Sequence, residues 1–140
     1  MTTSVVIDAG VIFKLLVPSP ETDRVKTLFR AWAQDDLKIS APALWIYETT
    51  SIFTKSVHFG DLTEEEADSA LSYVSQLDVQ LIDADEEQIR NAFSWTMRLH
   101  RAAAYDSFYL AAADKLGCDL WTADRRLVNA VSQPWVRLVA

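Results

Sequence analysis

Ser4-Val5-Val6-Ile7-Asp8-Ala9-Gly10-Val11-Ile12-Phe13-Lys14-Leu15-Leu16 decides the architecture. Its first four residues form an apolar run with no polar face. A strand of that kind has to be covered on both sides, as strands of parallel sheets are. Helical patterning resumes directly after Asp8. The same alternation continues to the end of the chain. Strands are expected at 4–8, 37–41, 79–83, 119–123 and 135–139. Helices are expected near 11–17, 20–34, 43–57, 63–77, 86–101, 105–116 and 125–131. Strand–helix alternation with right-handed crossovers predicts a three-layer α/β/α fold with a central, mainly parallel sheet of about five strands. The 140 residues fit one domain spanning 1–140, long enough to bury a core.

Local start and stop signals agree with this reading. Ser19-Pro20 offers an N-cap followed by proline at the first helical position. Thr63-x-x-Glu66 and Asp85-x-x-Gln88 have capping-box spacing. Gly117 follows a helix whose last turn carries Lys115, a natural stop. No repeat, low-complexity tract or linker interrupts the chain, and no run reaches membrane-spanning length. The N-terminus has neither the basic segment nor the long apolar run of a secretion signal. With a lone cysteine, Cys118, no internal disulfide can form, and a reducing cytoplasm is the expected setting.

Four acids stand out by position: Asp8, Glu48, Asp106 and Asp124. Asp8 closes the first strand, and Asp124 follows Leu120-Trp121-Thr122-Ala123 at the end of the fourth. Glu48 shares a helical stripe with Leu44 and Ile52, where no cap role exists and no cation stands four residues away. Asp106 opens Asp106-Ser-Phe-Tyr-Leu-Ala-Ala-Ala. In open parallel sheets, ligand sites form beyond the carboxyl ends of the strands, where strand order reverses. Four carboxylates gathered there repel one another until a hard divalent cation neutralises them, which makes them candidate Mg²⁺ or Mn²⁺ ligands. Asp8, Asp106 and Asp124 also have simpler explanations as helix caps.

Other chemistries find little support. His58 and His100 lack a cysteine or second histidine at zinc-ligand spacing. No nucleophile elbow is present, and three glycines cannot build a phosphate loop. Trp45, Trp95, Trp121 and Trp135 read as core. Trp32 and the Tyr105, Phe108, Tyr109 group fit either the core or a partner-facing groove. Arg98, His100 and Arg101 form one basic cluster and Arg125-Arg126 a second. Both flank the acids in sequence and are candidate phosphate-backbone contacts or solvated helix ends. The net charge of −7 runs against the basic surface usual for nucleic-acid binding.

Taken in order, Val5-Val-Ile-Asp8-Ala-Gly-Val-Ile-Phe-Lys-Leu-Leu, Pro42-Ala-Leu-x-x-x-Glu48, Tyr105-Asp106-Ser-Phe-Tyr-Leu-Ala-Ala-Ala113 and Leu120-Trp-Thr-Ala-Asp124-Arg-Arg-Leu127 resemble the PIN-domain ribonucleases. The branch most similar is the VapC toxins of toxin–antitoxin pairs. The resemblance implies a metal-dependent endoribonuclease in which Asp8, Glu48, Asp106 and Asp124 bind Mg²⁺ or Mn²⁺ and Thr122 lends a supporting hydroxyl. Water is then the attacking group, leaving 5′-phosphate and 3′-hydroxyl ends. It also implies a homodimer and a cognate protein antitoxin whose tail covers the site. Gly10 stands where the family commonly has Ser or Thr, and Ser51 where many members carry Asn. Rival readings are a PIN-like scaffold that binds RNA or protein without cutting, a phosphoacceptor receiver domain, and an Asp-x-Asp phosphatase, the last weakened by Gly10.

Overall fold

β1 (Ser4–Ile7) is the middle strand of the molecule, and all four of its residues are buried. The computed structural model describes residues 3–139. After β1 come α1 (Ala9–Leu16), α2 (Thr22–Gln34), β2 (Lys38–Pro42), α3 (Leu44–His58), α4 (Glu64–Gln76) and β3 (Val79–Ile82). The chain then forms α5 (Glu86–Arg98), α6 (Tyr105–Leu116), β4 (Leu120–Thr122), α7 (Arg125–Val131) and β5 (Val136–Leu138). The five strands lie in the order β3-β2-β1-β4-β5, and every pairing is parallel. The expected α/β/α class and five-stranded parallel sheet are what the chain forms.

The strand order has a functional consequence. The chain builds outward from β1 to β2 and β3, then returns to β1's other edge to lay down β4 and β5. β1 and β4 therefore flank the switch point, paired through Val6 with Leu120 and Ile7 with Trp121. Ile7, Val11, Ile12, Trp45, Phe53, Leu110, Leu120 and Val139 are all but inaccessible to water. Burial of each large apolar side chain stabilises the fold by roughly 1.5–3 kcal/mol. The site's scaffold is thus part of the buried core.

Three helix boundaries depart from the sequence expectations by two residues or more, each for a local reason. α1 begins at Ala9, two residues early, because the Asp8 carboxylate accepts the Val11 N–H and caps the helix there. α2 begins at Thr22, two residues late. Ser19 does not act as its cap: its N–H donates to Thr22 Oγ1 at 2.9 Å, its hydroxyl accepts from the Glu21 N–H at 3.2 Å, and Pro20 falls in the resulting turn. α5 stops at Arg98 rather than 101, since His100 takes a left-handed backbone (φ 54°) and Arg101 folds its N–H back onto the Thr96 carbonyl. By contrast, the Thr63/Glu66 capping box is complete, with both reciprocal bonds formed. Gly117 ends α6 in the left-handed conformation (φ 62°) that glycine adopts without steric cost. Of the expected core tryptophans, Trp45, Trp95 and Trp121 are buried and Trp135 is half-buried; Trp32 is buried as well.

Candidate active site at the carboxyl edge of the sheet

Asp8 leaves the end of β1 with both carboxylate oxygens engaged. Oδ1 accepts the Val11 N–H at 3.1 Å, and Oδ2 accepts the hydroxyl of the fully buried Thr122 at the end of β4. The same Thr122 oxygen accepts the Asp124 N–H at 2.9 Å. One hydroxyl thereby joins the two strand ends and the two aspartates that follow them. Burial pushes the Asp8 carboxyl up to about 6. Hydrogen bonds from Thr122, Val11 and Ala123 pull the other way, and the negative charge of Asp106 adds to the rise. Desolvation wins because the neutral acid loses far less on leaving water than the carboxylate does.

Glu48 sits in the second turn of α3, half-buried, and accepts a 2.6 Å hydrogen bond from the Tyr109 hydroxyl. Burial raises its pKa and the charge of Asp106 raises it further, while the tyrosine bond lowers it. Tyr109 itself is buried, and burial together with the Glu48 carboxylate moves its hydroxyl far from ionisation. It is a donor, held neutral, whose position is fixed by α6. The sequence reading left Tyr109 among core or groove residues. The available signal was its spacing: three residues after Asp106, it shares that acid's helical face.

Asp106 lies in the first turn of α6, where the positive end of the helix dipole favours an acid. It is not the cap: Ala104 holds that position with no side-chain bond. Its Oδ2 instead meets Arg101 Nη1 at 2.8 Å. Asp106 raises the pKa of both Asp8 and Glu48, so the three acids share one electrostatic environment with Asp106 acting on the other two. Asp124 is used differently. It caps α7, with Oδ1 accepting the Arg126 and Leu127 N–H groups at 2.9 and 3.2 Å. Both of its readings stay open, because only one oxygen is spent.

Each of the three mutually repelling acids thus has an internal partner: Thr122 for Asp8, Tyr109 for Glu48 and Arg101 for Asp106. In these side-chain positions, no three His, Cys, Asp or Glu groups among the described residues converge closely enough to hold one ion. The donor set still fits a hard divalent cation: carboxylate oxygens only, on one edge of the sheet, with Asp8 and Glu48 both short of the solvation their charge requires.

The basic candidates separate. Arg101 reaches the site. Arg98 is exposed and lies over the Trp95 ring at 3.9 Å, while Arg125 and Arg126 are exposed at the start of α7 beside Asp124. Gly10 is where α1 passes closest to the β4–α7 junction: a Cβ there would stand 3.0 Å from Ala123 Cβ and 3.4 Å from Asp8 Oδ1. The missing hydroxyl at position 10 thus accompanies a tight approach beside Asp8. Ser51 is exposed on α3.

Comparison with known proteins agrees with this fold. The PIN domain family model matches residues 5–131. Ribonuclease VapC3 of Pyrobaculum aerophilum is 30% identical over 125 residues, covering 89% of this chain and 92% of that protein. Among solved structures, VapBC2 from Rickettsia felis, bound to a DNA fragment from its promoter, aligns with a TM-score of 0.69 at 14% identity, over 96% of both chains. The sarcin–ricin-loop-cleaving toxin VapC20 of Mycobacterium tuberculosis aligns at 0.66 with 16% identity, over 96% of this chain and 99% of that one. These structural matches show a shared fold.

Proposed function

This chain belongs to the PIN-domain family, and from that premise we propose that it is an Mg²⁺- or Mn²⁺-dependent endoribonuclease, the cytoplasmic toxin of a toxin–antitoxin pair. The observation that carries the reading is the charge coupling of Asp8, Glu48 and Asp106 at the switch-point edge of the sheet. Nothing in folding alone favours setting three acids where they repel one another. The relative that covers most of this chain is itself a ribonuclease by name.

Asp8, Glu48, Asp106 and the free oxygen of Asp124 are the groups that would hold the cation. A bound divalent ion supplies Lewis-acid polarisation of the phosphodiester and lowers the pKa of a water. The protein's own groups do the positioning. Thr122 fixes the Asp8 carboxylate from one side while the Val11 N–H fixes it from the other. Tyr109 aims Glu48 and, being far from ionisation, keeps its proton. In the cation-free protein burial holds the Asp8 and Glu48 carboxyls above their ordinary range, so each gains from a cationic partner. The products are 5′-phosphate and 3′-hydroxyl ends.

A homodimer and a protein antitoxin belong to the same reading. Ile89, Phe93 and Met97 recur every four residues along α5 and are each half or more exposed, an apolar stripe suited to a protein partner. The deciding experiment is cleavage of a mixed tRNA and rRNA pool by antitoxin-free protein in Mn²⁺ or Mg²⁺ against EDTA. Asp8→Asn and Asp106→Asn run alongside. Metal-dependent cleavage lost in both variants supports the nuclease. Cleavage that survives Asp8→Asn sinks it. No cleavage in either metal favours the non-cutting scaffold.

A further inference from the structure

We propose that Arg101 is an internal counter-ion that competes with the divalent cation for Asp106, so that cation binding and release of the guanidinium are one linked event. The inference rests on the metal-dependent reading above and adds to it a residue of this chain that sets cation affinity.

The segment between α5 and α6 is built to hold Arg101 at the site. Its backbone N–H is bonded to the Thr96 carbonyl, and the left-handed His100 turns the chain back to make that bond. At the far side, the buried Thr96 and Ser107 hydroxyls are hydrogen-bonded to each other at 2.8 Å, tying the end of α5 to the first turn of α6. Between these two anchors the Arg101 side chain, 28% exposed, reaches Asp106 Oδ2 at 2.8 Å. The other three candidate arginines make no ion pair among the described residues. Of the four candidate arginines, Arg101 alone pairs with an acid of the site among the described residues.

A guanidinium at 2.8 Å neutralises one carboxylate and leaves less negative charge for an incoming ion. Asp106 bears on both Asp8 and Glu48, so the loss is felt at those two acids as well. A divalent ion using Asp106 must displace Arg101, and linkage makes the antagonism reciprocal. An arginine that only stabilised the loop would leave cation affinity unchanged.

The test is isothermal titration of Mn²⁺ into RNA-free protein, with thermal melting in EDTA and in Mn²⁺, for wild type, Arg101→Gln, Arg101→Lys and Asp8→Asn. Arg101→Gln is expected to melt lower in EDTA, because Asp106 loses its partner. It should nevertheless bind Mn²⁺ about fivefold tighter, the range of a partly exposed ion pair. Arg101→Lys, which keeps the charge and should fold where the glutamine variant does not, falls at or near wild type. Equal or weaker Mn²⁺ binding by Arg101→Gln, with Asp8→Asn binding lost, overturns the inference and leaves the metal reading standing. Failure of wild type and Arg101→Gln to bind Mn²⁺, or unaltered binding by Asp8→Asn, overturns both.

Discussion

Asp8 both supports the fold and burdens it. Its Oδ1 starts α1, yet its charge is held where water solvates it poorly. A carboxyl raised from 3.8 to about 6 keeps a proton in the folded chain that the unfolded chain has already lost across that interval. Its contribution to stability is therefore full below about pH 4 and lost as pH rises through 6. Asp8→Asn has no charge to desolvate. In EDTA it should match wild type near pH 4 and exceed it by on the order of 2 kcal/mol at pH 7.5, read by denaturant midpoints across the range. A stability gap that does not change with pH would contradict the burial of this charge. Tyr109→Phe tests the other side of the site. It deletes one hydroxyl and strands a half-buried carboxylate oxygen, at a cost of about 1–2 kcal/mol. The Glu48 pKa should climb, shifting the acid limb of the pH–rate profile upward while Asp8 titrates as before. Family resemblance singled out Thr122 as a supporting hydroxyl, but which acid it serves, and the Glu48–Tyr109 pair altogether, were beyond the reach of sequence reading. Glu48 and Tyr109 are 61 residues apart, and Asp8 and Thr122 are 114 apart. Local pattern carries no information on which hydroxyl closes onto which acid.

The elements were far more legible, because their limits are set by neighbouring residues. The Thr63 box, the Gly117 stop and the Asp85 cap all work through groups within three or four positions. β1 and β4 could be read from apolar runs that admit no solvent face, whereas the edge strand β3 leaves Gln80 and Leu81 exposed. Where the reading slipped, at α1 and α2, two local signals competed and the tighter hydrogen bond won. The crowding of α1 against the β4–α7 junction was invisible, since Gly10 and Ala123 meet only in three dimensions. That contact can be measured by a double-mutant cycle with Gly10→Ala and Ala123→Gly. Alanine in a helix is intrinsically favoured over glycine by roughly 1 kcal/mol. The contact at 3.0 Å opposes that gain. Gly10→Ala is expected to be worse by about 1 kcal/mol with Ala123 present than in the Ala123→Gly background. Additivity within error would mean that α1 moves aside freely.

At the level of the whole molecule, an acidic protein is proposed to act on a polyanion. With a net charge of −7, long-range attraction cannot hold RNA, and local contacts must. If Arg98, Arg101, Arg125 and Arg126 supply all of them, the dependence of log binding constant on log salt should be no steeper than about 3 for single-stranded RNA. Filter binding by Asp8→Asn across a salt series measures this, and a steeper slope would require a basic surface beyond these four.

The strand order also dictates when the site comes into being. β1 pairs with β4 through Val6 and Leu120, and Asp8 waits for Thr122. A chain growing from its N-terminus can lay β2 and β3 against one edge of β1 while the other edge stays bare. Synthesis at about 5–20 residues per second leaves that edge unfilled for several seconds. Until Thr122 and Asp124 have emerged, the newborn polypeptide has three of its acids and no joined pair of strand ends. Premature termination between the end of β3 and residue 119 therefore yields a product that lacks β4 altogether, with β1 exposed as a sticky edge and its strand ends unjoined.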